Sequence, residues 1–159
     1  MKLKITFLIV LSLNFINCKQ EVKVEAKSKD TAISNTKQEK KTPHLNNNWV
    51  AEMALNNGAK WEANLETTSG VANMAKLIAE RKTISLGDYR NLGDSLNDVK
   101  NTLVKECTMT GASHDNLHIF LHPLIQKIEL LQKTGSAETG AQIKESIAGH
   151  LNAYYIYFE

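Results

Sequence analysis

Turn formers are scarce in this chain, which has two Pro and eight Gly in 159 residues. That scarcity disfavours a sheet of many short strands with tight turns, and the low aromatic content of 6% points the same way. Only two cysteines are present, Cys18 and Cys107, too few for a disulfide-stapled fold. No apolar run reaches the length needed to span a bilayer as a helix; the longest, Ile5 to Leu13, falls well short of about 18 residues. There is no Gly-rich phosphate loop, no strand-turn-helix nucleophile motif, no internal repeat and no C-x-x-C-H for covalent haem.

Charge is uneven. Residues 2–43 hold nine Lys against four acidic residues, whereas residues 44–159 hold ten basic against thirteen acidic residues. A mildly acidic body argues against a nucleic-acid partner.

The N-terminus has the layout of a secretory signal, with Lys2 and Lys4 ahead of a short apolar run. It ends in Phe15-Ile16-Asn17-Cys18, which resembles the lipobox of bacterial lipoproteins. The resemblance implies that residues 1–17 are a signal peptide. Cys18 would then be lipidated, with palmitate among its acyl chains, and the protein held on a membrane of the cell envelope, at the outer membrane or a periplasmic face, without a transmembrane helix. It also leaves Cys107 without an internal partner. Residues 18–48 are polar, mixed in charge and poor in large apolar side chains, so a disordered tether is expected there, His44 included.

From residue 49 to 159 apolar residues recur at helical spacing. A short segment Trp49–Leu55 stops at Asn56-Asn57-Gly58. A first helix is expected over 60–81, with Trp61, Leu65, Thr68, Ala72, Ala75 and Ile78 in one stripe and a weak point at Thr67–Gly70. A second is expected over 86–107 (Tyr89, Leu92, Leu96, Val99, Leu103). Thr108–Ala112 reads as a turn and Ser113 as the cap of a third helix to Lys133, with Leu117, Leu121, Leu124, Ile128 and Leu131 inward and Pro123 within it. A fourth is expected over 138–158 (Ile143, Ile147, Leu151, Tyr154, Phe158). Four amphipathic helices with short loops predict an all-α, antiparallel four-helix bundle, with the Trp49 segment as a short extra element.

The chemistry concentrates in Cys107–His122, which holds Cys107, Met109, His114, His118 and His122. At about 100° per residue, His114 lies about 60° from the centre of the third helix's apolar face, His118 about 100° and His122 about 140°. His122 is therefore expected in water. His114 and His118 stand one turn apart, a spacing that lets two imidazoles grip one ion. With Cys107 and Met109 across the turn, thiolate, thioether and imidazole form a soft set suited to copper or zinc. His150 falls at the edge of the last helix's apolar face, either as a hydrogen-bonded core histidine or as a further metal ligand.

Two other readings compete. Met74 or Met109 with His150 would serve a b-type haem in a bundle. A structural or partner-binding lipoprotein would use none of these side chains. His114-Asp115-Asn116-Leu117-His118 also approaches the H-E-x-x-H pattern of metalloproteases, but it carries Asp for Glu and has no further ligand at the usual spacing, so no enzyme is expected.

The region from residue 49 onward resembles helical domains of bacterial envelope lipoproteins. The runs that carry this are Trp61-Glu62-Ala63-Asn64-Leu65-Glu66-Thr67, Cys107-Thr108-Met109-Thr110-Gly111 and His114–His118. The resemblance implies a fold and a location, not an activity.

Overall fold

The computed structural model describes residues 45–159. The expected signal peptide, Cys18, His44 and most of the expected tether lie outside the described residues. Four helices follow a short 3₁₀ turn at Asn48–Glu52: α1 Leu65–Glu80, α2 Leu86–Glu106, α3 Gly111–Gln132 and α4 Ala137–Tyr157. Each helix packs on the next in sequence, and α4 closes against α1, which makes an all-α four-helix bundle. Side-chain bonds fix the antiparallel sense. Asn64 before α1 donates to the carbonyl of Glu106 at the end of α2, Thr68 near the start of α1 bonds Tyr154 near the end of α4, and Lys144 early in α4 donates to the carbonyl of Arg81 after α1.

Local chemistry sets where the helices begin. Ser85 and Asp88 form a reciprocal capping box at α2, with Ser85 Oγ accepting from Asp88 N–H and the Asp88 carboxylate accepting from Ser85 N–H. The amides of Ser85 and Ile84, with the Ser85 hydroxyl, hold the Asp88 carboxyl below the usual carboxylate range. Ser136 caps α4 by accepting from Thr139 N–H. α3 is entered differently from the expected Ser113 cap. Gly111 takes a positive φ of 63° as the first helical residue, extended Thr110 precedes it, and Ser113 Oγ donates instead to the Glu62 carbonyl at 2.7 Å. α3 runs unbroken through Pro123.

The stripes expected on α2, α3 and α4 are buried except for half-buried Val99, and the core also takes in Gly93, Phe120, Lys127, Gly140 and His150. α1 differs. It begins at Leu65 rather than residue 60, because Trp61–Ala63 are extended and pair with the C-terminus. Trp61 N–H donates to Tyr157 O at 2.8 Å, Glu159 N–H to Trp61 O at 3.0 Å and Ala63 N–H to Glu159 O at 3.0 Å. The inward face of α1 is Thr67, Gly70, Val71, Met74 and Ile78, while Leu65 points out at 75% exposure. Gly70 sets this phase, since a Cβ there would stand 2.7 Å from Leu103 Cδ1, so only glycine lets α1 and α2 approach this closely. Thr67–Gly70 is continuous helix, not a break.

The folded region also starts earlier than residue 49. Leu45 O accepts from Ser146 Oγ at 2.6 Å, and Asn47 Oδ1 accepts from both Trp49 Nε1 and Lys127 Nζ. We call Leu45–Glu52 the strap. It lies against α3 and carries Trp49 into the core, edge-on to Phe120 with centroids 5.5 Å apart.

Candidate metal centre

Four-residue spacing on α3 advances the side chain by about 40° and about 6 Å per step, so rings at 114, 118 and 122 stack along the helix. His118 Nε2 stands 3.2 Å from His114 Nε2, and His118 Nδ1 stands 3.3 Å from His122 Nε2. The rings meet edge to face, with centroids 4.4 and 5.2 Å apart. His114 is half-buried, while His118 and His122 are exposed, the order that the helical phase predicts.

Two hollows flank this row. One, of about 240 Å³, lies on the α2 side; Cys107 and Val104 line it with His114, His118 and His122 over the apolar floor of Leu117 and Leu121. The other, of about 400 Å³, lies between α3 and the strap; Trp49, Glu52, Asn46 and Gln126 line it with His118 and His122. Cys107 ends α2 as a free, half-buried thiol.

The nitrogen separations have two chemical meanings. They suit ring N–H···N hydrogen bonds at the long end of the range. They also match a tetrahedral ion, whose nitrogen ligands at about 2.0–2.1 Å lie about 3.3 Å from each other. The row is not a tripod, because His118 turns a different nitrogen to each neighbour. Among the described residues no three His, Cys, Asp or Glu side chains converge on one point as they stand. A bound ion would take two imidazole nitrogens here and draw further ligands from the hollow or from water.

The expected ligands separate accordingly. His114, His118 and Cys107 share one hollow. His122, read from its phase as a bystander, belongs to the row; the signal for it was the repeated four-residue spacing rather than the angle from the core. Met109 instead lines a separate depression with Asn64, Thr108 and Ser113.

His150 is not brought to the row either, which corrects its place as a further ligand. It is fully buried, its Nε2 contacts the Phe120 carbonyl at 2.8 Å, and its Nδ1 stands 3.3 Å from Lys127 Nζ. Trp49 stacks on the ring with centroids 4.2 Å apart. Both nitrogens are thus occupied. Burial, reinforced by the Lys127 charge and only partly opposed by the Phe120 bond, pushes the imidazole down to about 3, so the ring is neutral. Lys127, also fully buried, is pushed down to about 8 by desolvation. An axial role toward haem would require His150 to surrender these contacts and Trp49 to move, and Met74 is equally enclosed in the core. Sequence reasoning missed Lys127 altogether.

Among the described residues no helix is long and apolar enough to cross a membrane. No known protein family, curated protein or solved structure matches the chain.

Proposed function

We propose that this chain is a lipid-anchored protein of the bacterial cell envelope that binds a soft or borderline transition metal, copper or zinc, for sequestration or sensing. The observation that carries the metal reading is the His114–His118 pair, with facing nitrogens 3.2 Å apart beside the free thiol of Cys107. That donor set is chemically matched to these ions. Binding is favoured over catalysis because Asp115 stands where the H-E-x-x-H pattern has Glu and no further ligand follows at the usual spacing. The anchor reading rests on the lipobox-like run ending in Cys18.

The test of the metal reading is thermal unfolding of the full chain with and without copper(I), copper(II) or zinc. A native-state ligand at about 100 times its Kd stabilises by about 2.7 kcal/mol. The double variant His114→Gln/His118→Gln should lose that gain. No shift with any of the three ions at large excess refutes it. For the anchor, Cys18→Ala should abolish palmitate incorporation and move the protein out of the membrane fraction; unchanged partition refutes it.

A further inference from the structure

We propose that the histidine row offers a single ion two alternative positions and that the hardness of the ion selects between them; this rests on the metal-binding reading above. His118 is the pivot. Its Nε2 faces His114 and its Nδ1 faces His122. A neutral imidazole has one lone pair free to ligate, the other nitrogen carrying the proton. His118 therefore serves one gap at a time, through one tautomer or the other, and the row holds one ion, not two.

The two sides differ in chemistry. The gap toward His114 opens only on the hollow that contains Cys107, floored by Leu117 and Leu121, a hollow that His122 also lines. A thiolate in apolar surroundings suits a soft monovalent ion, which carries little charge into a low-dielectric wall. The gap toward His122 borders the hollow beneath the strap, where Glu52, Asn46 and Gln126 offer oxygen donors. Carboxylate and amide oxygens with imidazole suit a harder divalent ion. Glu52 ends the 3₁₀ turn that carries Trp49 into the core, so a divalent ion on this side is also one that ties the strap to α3.

The experiment uses the full chain with Cys18→Ser, so that Cys107 is the sole thiol, titrated separately with silver(I) in chloride-free buffer and with nickel(II), a divalent ion suited to imidazole. Cys107→Ser should weaken silver(I) by about tenfold or more and leave nickel(II) within about threefold. His122→Gln and Glu52→Gln should do the reverse, and His118→Gln should weaken both. Alkylation of Cys107 should be slowed by silver(I) and not by nickel(II), a readout that needs no substitution at the half-buried thiol. One equivalent of either metal should saturate the chain. Two equivalents bound at once, or the same rank order of variants for both metals, overturns the two-position reading while leaving metal binding intact. If the unsubstituted row binds neither ion, the two-position reading falls, and the copper and zinc melts above decide the metal reading.

Discussion

Acid should destabilise this bundle in part through one buried ring. His150 sits at about 3 in the folded protein, against about 6.5 for an ordinary histidine in an unfolded chain. It is a base whose folded value is depressed. Between pH 6.5 and 3 the unfolded state binds the extra proton, so stability is complete above pH 6.5 and is lost as pH falls through that window. At pH 5, 1.5 units below the unfolded value, the loss from this group is about 2 kcal/mol, or about 8 °C in Tm for a domain of this size. Carboxylates contribute their own acid dependence, so the measurement is a difference. His150→Gln keeps a donor for the Phe120 carbonyl and an acceptor for Lys127 Nζ but has nothing to protonate. Urea unfolding of both proteins at pH 7.5 and pH 5 should show the unsubstituted protein losing about 2 kcal/mol more than the variant. Equal losses, within about 0.5 kcal/mol, would refute the neutral, enclosed state of this ring. Should the variant fail to fold, the ring's NMR shifts in the unsubstituted protein give the same answer, because they should not titrate between pH 7 and the onset of unfolding.

The remaining predictions probe other parts of the frame. Lys127 is likewise a base with a depressed folded value, so the unfolded state holds more protons between pH 8 and 10.5 and stability should rise with pH there. Lys127→Met, compared by urea unfolding at pH 7.5 and 10, should lack that rise. Gly93→Ala would place a Cβ 2.7 Å from the backbone nitrogen of Gln132 and should cost about 1–3 kcal/mol in thermal melts. Gly149→Ala, whose Cβ meets nothing closer than Asn47 Nδ2 at 3.4 Å, should be neutral or stabilise by about 0.5–1 kcal/mol. Ser85→Ala removes half of the capping box and should cost about 1 kcal/mol, with the Asp88 carboxyl moving back up in an NMR titration.

Much of this fold was legible because three of the four helices bury a face that repeats with the helical period. Leu117, Leu121, Leu124, Ile128 and Leu131 are all inside on α3, as are Ile143, Ile147, Leu151 and Tyr154 on α4. The period fails on α1 for two physical reasons. Trp61 pairs through its backbone with Tyr157 and Glu159, and nothing near residue 61 in the sequence signals a partner that distant. Gly70 is buried because its lack of a side chain brings α2 close, which a search for apolar side chains passes over. Reading α1 through Leu65 and Ala72 therefore turned its inner face by a position or so.

The candidate site was legible only in part, for a related reason. Phase measures where a side chain leaves the helix, not what it meets. By phase His122 points to water, and it does, yet a ring four residues from His118 reaches its neighbour however wet the surroundings. By phase His150 lies at a core edge, which leaves open whether it faces the row or the interior. Trp49, Asn47 and Lys127 decide this, since the first covers the ring and the second accepts from the ammonium that bonds it. Lys127 is the hardest case. A lysine beside Ile128 on an amphipathic helix ordinarily sends its charge out to solvent. Here its two partners stand 80 and 23 positions away in the chain, and one lies in a stretch polar enough to read as tether. The ammonium stays inside because the strap supplies the acceptor, and the strap stays down because Trp49 has His150 to stack on. Each contact presupposes the others, so no single segment of sequence could have announced any of them.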